Sequence, residues 1–104
     1  MSSMDKSITD KQTRGDLKTR IGRLRRNIDE IDEEIMGLIN QRLSLAKQIG
    51  NLKKLGGIRI KDSDREKEIV NRLLAKNNGL LSEMGLRAIF GAIVAEGRNV
   101  QRTR

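Results

Sequence analysis

The fold of this chain is decided by residues 17–55, which read LKTRIGRLRRNIDEIDEEIMGLINQRLSLAKQIGNLKKL. Apolar side chains recur there in alternating steps of four and three residues, a spacing that forms one continuous stripe only on a long α-helix. The stripe consists of Leu17, Ile21, Leu24, Ile28, Ile31, Ile35, Leu38, Leu45, Ile49 and Leu52. At 1.5 Å per residue such a helix is roughly 58 Å long, which is more than two shorter helices can cover. The pattern therefore predicts that a second copy buries part of the stripe, most simply in a two-fold homodimer.

Arg42 occupies the one position where the stripe lacks its apolar residue, between Leu38 and Leu45. A cation there is rarely buried without an anionic partner. Lys53 follows roughly 16 Å further along the helix, so the two side chains could hold a small dianion between them. Arg25 lies roughly 25 Å from Arg42 in the other direction and could join that site only from a second, antiparallel chain. This arrangement predicts an anion-binding cavity shared between two copies.

A purely structural interpretation of these cations is also open. Arg42 could extend to solvent or pair with Glu34, and a polar residue in a helical seam often does no more than fix the register of packing. Arg25 and Lys53 flank the stripe, where charged side chains usually face solvent.

The composition favours an all-α protein of one domain. The 104 residues include no proline, tryptophan or tyrosine and a single phenylalanine. The absence of cysteine and histidine excludes disulfides, thiolate nucleophiles, imidazole acid–base chemistry and the common zinc sites. We therefore expect electrostatic chemistry with no cofactor and no metal. With no apolar run long enough to span a membrane and no signal peptide, we expect a cytoplasmic protein.

The formal charge of +8 is concentrated near the two ends of the chain. Residues 1–26 carry +5 and residues 98–104 carry +3, while residues 27–97 contain eleven basic and eleven acidic side chains. A basic helical module that binds nucleic acid is one interpretation. The neutral middle and the near absence of aromatic side chains for base stacking argue against it.

The remaining chain predicts a polar leader and two shorter helices. We expect residues 1–16 to be a disordered leader and residues 17–104 to form the domain, with Asp16 as the N-cap of the long helix and Gly56–Gly57 as its end. Ser63 and Glu66 form a capping box at the start of the second helix, which ends near Asn77. Ser82 is predicted to cap the third helix. Its inner face reads Leu86, Ile89, Phe90, Ile93 and Val94, and continues through Gly97, Val100 and Gln101.

Four segments, in this order and spacing, closely resemble the all-helical AroQ class of chorismate mutases over about residues 24–101. They are LRRNIDEID (24–32), LINQR (38–42), IGNLK (49–53) and DSDRE (62–66). The resemblance implies three helices per chain, an intertwined dimer formed chiefly through the first helix, and the conversion of chorismate to prephenate. That rearrangement is unimolecular and needs no nucleophile, proton shuttle, metal or cofactor, which suits a chain without histidine or cysteine.

The resemblance also assigns roles to the cations of the first helix. By position, Arg25 would reach into the site of the partner copy, while Arg42 and Lys53 would act within the chain's own site. Lys53 and Gln101 would face the ether oxygen on which negative charge develops as the bond breaks.

The second helix and the end of the third complete the implied site. Asp62, Arg65 and Glu66 match the segment that contacts the substrate hydroxyl and a carboxylate. Gly97 stands where the best-known bacterial members have serine, so one hydroxyl donor to a carboxylate is missing. An isochorismate-pyruvate lyase has a similar fold and cationic site and is the nearest alternative. A regulatory domain, or a partner of a larger aromatic-biosynthesis enzyme, is the alternative of another class.

Overall fold

The computed structural model describes the backbone of residues 2–103 and the side chains of residues 13–103. It contains three α-helices, α1 (Ser2–Leu55), α2 (Ser63–Lys76) and α3 (Glu83–Arg102), and the described part of the chain contains no strand. The predicted all-helical class and the number of helices are confirmed. The chain divides into two compact units, Met1–Gly37 and Leu38–Arg104, and each is described separately. Within the described range, no helix combines the length and the apolar character needed to cross a membrane.

The start of α1 differs from the prediction. The helix begins at Ser2, so Asp16 lies inside it and is not its N-cap. No proline occurs in residues 2–16 and Gly15 is the only glycine there, so no residue of this segment stops the helix from extending beyond the apolar stripe. Disorder of residues 1–16 and the boundary at residue 17 stay predictions, and the side chains of residues 1–12 lie outside the described ones.

The first unit presents the predicted stripe along α1. Its six apolar residues are each 45–60% exposed in the single chain. They are Leu17, Ile21, Leu24, Ile28, Ile31 and Ile35. The stripe is therefore formed as predicted, and its side chains are about half exposed.

The second unit joins the last part of α1 to α2 and α3. The chain leaves α1 through Gly57, whose φ of 64° is the left-handed conformation that glycine adopts without strain. The Ile58 N–H donates to the Lys53 carbonyl at 2.7 Å and satisfies one of the last helical acceptors. The predicted end of α1 at Leu55 is confirmed.

The N-terminal caps of α2 and α3 agree with the predicted ones, with one correction. The N-cap of α2 is Asp62, whose Oδ1 accepts from the Arg65 N–H at 3.0 Å, and Ser63 is already the first helical residue. Aspartate caps as well as serine does, and its charge also favours the positive end of the helix dipole. Ser82 caps α3 as predicted, its Oγ accepting from the Gly85 N–H at 2.9 Å. The last residue of α2 is Lys76 and Asn77 is its C-cap, which agrees with the predicted end near Asn77.

The core of the second unit is small. Ala46 of α1, Ile69 of α2, and Leu86 and Val94 of α3 are its buried apolar side chains. Ile89, predicted on the inner face of α3, is 49% exposed because it lies at the edge of that face. Phe90 and Ile93, which the same face also contains, are half-buried.

Candidate active site

A cavity of about 260 Å³ lies in the second unit between the end of α1, the α1–α2 connection, α2 and the last half of α3. Six apolar side chains form part of its wall: Leu45, Ala46, Ile49, Ile60, Ile69 and Val94. The rest of the wall is polar or glycine: Arg42, Lys53, Asp62, Arg65, Glu66, Gly97, Arg98 and Gln101. Apolar walls with a few convergent polar groups are typical of small-molecule sites.

The cavity is positively charged. Four of its lining side chains are cationic and two are carboxylates, which leaves a formal charge of +2 from the lining residues. In a partly enclosed space, where the effective dielectric constant is lower than in water, such an excess attracts an anion more strongly than the same charges would on an open surface. The cavity is therefore suited to a small molecule with one or more carboxylates.

Seven of the eight residues predicted for the site line this cavity. They are Arg42, Lys53, Asp62, Arg65, Glu66, Gly97 and Gln101. Arg25 does not line it, and it lies exposed in the Met1–Gly37 unit. The structure thus brings together residues from three helices, while the role of each one stays a prediction.

Lys53 and Gln101 meet in the wall of the cavity. The Lys53 Nζ donates to the Ile60 carbonyl at 2.8 Å and lies 3.5 Å from Oε1 of Gln101. An ammonium has three donors, so after the Ile60 carbonyl is satisfied it still has donors to offer to a ligand. Because Oε1 of Gln101 faces the lysine, the amide NH₂ of the glutamine is the group that can donate to a ligand. The pair can therefore supply two kinds of donor to one ligand oxygen.

Arg42 packs against Gly97. Gly97 is buried, and a Cβ added there would lie 3.4 Å from Nη1 of the half-buried Arg42. The missing side chain at position 97 thus leaves room for the guanidinium beside α3. Among the described side chains, none of the ion pairs involves Arg42.

Asp62 and Arg65 lie at the exposed rim. The Asp62 carboxylate already caps α2, and Nη1 of Arg65 forms an ion pair with Glu68 on the same helix. Because more than half of the Arg65 side chain is exposed, its ion pair with Glu68 is weak. Arg65 can therefore replace Glu68 with a ligand carboxylate at little cost in free energy.

Arg98 is the polar residue of the cavity that the sequence interpretation missed. Its Nη1 lies 2.6 Å from both carboxylate oxygens of Glu66. The available signal was its spacing on α3, since it follows Gly97 and precedes Gln101 by three residues, which places it on the same helical face. Its partner on α2 is 32 residues away in the sequence, so no local pattern indicates the pair.

Gly50 allows α1 and α3 to approach each other next to the site. A Cβ at position 50 would lie 2.8 Å from the Cα, Cβ and Cγ of Gln101, which is closer than real Cβ contacts. Because one of those atoms belongs to the backbone, the helices themselves would have to move apart. The absence of a side chain at Gly50 therefore lets the backbone of Gln101, which lines the cavity, lie directly against α1.

We expect Gly50→Ala to lower the free energy of unfolding by about 1–3 kcal/mol through overpacking, and to reduce activity through displacement of Gln101. Chemical denaturation followed by circular dichroism measures the first effect. Gly91→Ala is the matched control, because a Cβ at position 91 meets nothing within 4 Å. It should raise stability by up to about 1 kcal/mol. Equal stability of both variants would contradict the close approach at Gly50.

Together, the fold and the cavity define an all-helical protein with a cationic site for a small anionic molecule. The family model for chorismate mutase type II matches residues 24–102, which is most of the chain. The chain belongs to the chorismate mutase type II family, as the resemblance implied.

Two relatives agree with this assignment, and one solved structure is similar to the chain in fold and sequence. The chain is 35% identical over 85 residues to the chorismate mutase of Methanocaldococcus jannaschii, a match that covers 80% of this chain and 85% of that protein. It is 38% identical over 76 residues to the bifunctional chorismate mutase/prephenate dehydratase of Aquifex aeolicus, covering 69% of this chain but only 21% of that protein. A solved conserved hypothetical protein from Pyrococcus furiosus is 34% identical, with a TM-score of 0.68, 81% of this chain covered and 97% of that one.

Proposed function

We propose that this protein is a chorismate mutase, an isomerase that converts chorismate to prephenate on the route to phenylalanine and tyrosine. The observation that carries the proposal is the placement of Arg42, Lys53 and Gln101 in one positively charged cavity. Membership of the family and the named activity of the M. jannaschii relative support it. The bifunctional A. aeolicus relative combines the mutase by name with a prephenate-consuming activity, which supports a role in aromatic biosynthesis.

The mechanism follows from shape and charge. Chorismate carries two carboxylates and rearranges through a compact, chair-like conformer that is poorly populated in water. The cavity can select that conformer, because Arg42 can bind one carboxylate bidentately while the apolar wall excludes water from the ring. As the ether bond breaks, negative charge grows on its oxygen, and the Lys53 ammonium and the Gln101 amide can stabilise that charge. These interactions are stronger in the transition state than in the ground state, so they accelerate the reaction.

The second helix would hold the rest of the substrate. Glu66 would accept a hydrogen bond from the ring hydroxyl, and Asp62 and Arg65 would contact the hydroxyl side and a carboxylate at the rim. Gly97 offers no hydroxyl donor, and its place beside Arg42 instead lets the guanidinium approach α3.

We further propose that the active form is a homodimer in which Arg25 completes the site of the partner copy. The argument is burial, since the apolar stripe of α1 is 45–66% exposed along its whole length in the single chain. Burying the exposed half of roughly ten large apolar side chains is worth on the order of 10 kcal/mol per chain at about 25 cal/mol per Å². A two-fold axis is the simplest symmetry that pairs one helix with its own copy.

Product analysis by NMR tests the proposed reaction. Purified protein is incubated separately with chorismate and with isochorismate. We expect prephenate from chorismate, formed well above the uncatalysed rate. Release of pyruvate and salicylate from isochorismate, with little prephenate, would instead assign the same cavity to an isochorismate-pyruvate lyase. Absence of turnover on both substrates by a folded protein would contradict the proposed function.

A further inference from the structure

Arg98 on α3 and Glu66 on α2 form an ion pair that joins two helices across the wall of the cavity. The pair differs from two others in the second unit, Arg65–Glu68 and Arg87–Glu83, which each link residues three or four apart on one helix. A pair between helices can hold a side chain in a fixed place relative to the rest of the site, whereas a pair within one helix chiefly stabilises that helix.

The pair is also more enclosed than the local ones. The side chains of Arg98 and Glu66 are 27% and 24% exposed, while those of the two local pairs are 52–67% exposed. Reduced contact with water strengthens the attraction between opposite charges and lowers the number of alternative rotamers. The Glu66 carboxylate is therefore held in one orientation, with both oxygens bound to the same guanidinium nitrogen.

Glu66 shares the cavity with two cations that the substrate needs. Arg42 and Lys53 line the same space, and a carboxylate without a partner of its own would be attracted to either of them. Such a pairing would neutralise the charge that binds the substrate carboxylate and would turn Glu66 away from the ring. The guanidinium of Arg98 provides Glu66 with a partner that is not part of the predicted substrate contacts.

We propose that Arg98 is a positioning residue of the active site, which holds the Glu66 carboxylate as an acceptor for the substrate's ring hydroxyl and prevents it from pairing with Arg42 or Lys53. The inference rests on the proposed function, because it is stated for chorismate as the substrate. It adds to that function a residue outside the eight predicted from the sequence.

The test is a double-mutant cycle with steady-state kinetics on chorismate. Arg98→Met removes the guanidinium while keeping most of the side-chain volume, and we expect kcat to fall about 10- to 100-fold, the effect of losing a hydrogen bond to a charged group. In the Glu66→Gln background the same substitution should cost less than about twofold, because its effect passes through Glu66. Arg98→Lys, which keeps the charge, should recover most of the rate. Arg87→Met, which breaks an exposed pair, is the matched control and should remain near wild type.

The outcomes separate this inference from the proposed function. Wild-type protein without mutase turnover would overturn both. With active wild type, an Arg98→Met variant of normal rate would overturn only the role of Arg98. The positioning role would also be overturned if Arg98→Met lowered kcat equally in the wild-type and Glu66→Gln proteins. A rise in KM with kcat unchanged would overturn it as well. Either result would show that Arg98 binds the substrate as an independent cation. Should Arg98→Met fail to fold, Arg98→Gln, which also removes the charge, takes its place in the same comparison.

Discussion

Lys53→Ala is expected to reduce kcat for chorismate by about 10²–10³-fold, the loss typical of removing one donor to a developing oxyanion. The lysine has the position required for this role, since its Nζ lies in the cavity beside Oε1 of Gln101 and is steadied by the Ile60 carbonyl. The KM should change less than kcat, because the interaction with the ether oxygen strengthens only as charge develops there. Initial rates of chorismate disappearance measure the effect.

Lys54→Ala is the control for this substitution. Lys54 is the next residue of α1, is exposed, and donates to the Thr103 carbonyl at 2.9 Å, outside the cavity lining. The two variants remove the same charge from adjacent positions, so nonspecific effects of net charge should be equal in both. We expect Lys54→Ala to keep a rate near wild type. A Lys53→Ala variant that is folded and retains a comparable rate would rule out the assigned role of Lys53.

Mixing two inactive variants is expected to restore activity if Arg25 serves the site of the partner copy. In a heterodimer of an Arg25→Ala chain and a Lys53→Ala chain, one site combines an intact Lys53 with an intact Arg25, and the other site lacks both. With random pairing half of the dimers are mixed, so about one quarter of all sites are complete. The rate per chain should therefore approach about a quarter of the wild-type rate after joint unfolding and refolding.

A second mixture provides the matched control. Arg42 and Lys53 line the same cavity of a single chain, so no pairing of Arg42→Ala with Lys53→Ala creates a complete site. That mixture should stay inactive at every ratio. Equal inactivity of the Arg25→Ala mixture, with exchange of subunits demonstrated by mass spectrometry, would contradict the shared site and place the action of Arg25 within its own chain.

Much of the helical architecture could be predicted because its signals are local. The apolar stripe depends on residues three and four apart, and the end of α1 at Leu55 and the Ser82 cap depend on a few adjacent residues. Arg42 was recognisable for the same reason, since an absent apolar residue is visible in a regular repeat. The resemblance to a known family then selected Asp62 and Gln101 from many polar residues that pattern alone leaves ambiguous.

The predictions that were wrong concern features for which two neighbouring residues compete for one role, or which depend on how the helices pack against each other. Both Asp62 and Ser63 can cap α2, and the sequence alone does not rank them. Ile89 lies at the margin of an apolar face, where a small rotation of the helix decides between burial and exposure. The start of α1 was predicted at Asp16 because the apolar stripe begins at the next residue, Leu17. A helix can nevertheless extend beyond its apolar stripe until a residue or a competing contact stops it.

The sequence by itself determined that this protein is helical, that its first helix is longer than its own chain can cover, and that cations interrupt the apolar pattern at defined positions. These properties follow from the periodicity and charge of neighbouring residues, which act through the backbone geometry of one helix. Only the tertiary structure decided that residues from three helices enclose one cavity, that Gly50 lets α3 bring Gln101 beside Lys53, and that Arg98 holds Glu66. Those relations depend on how helices cross, and the packing of side chains from distant parts of the chain determines each crossing.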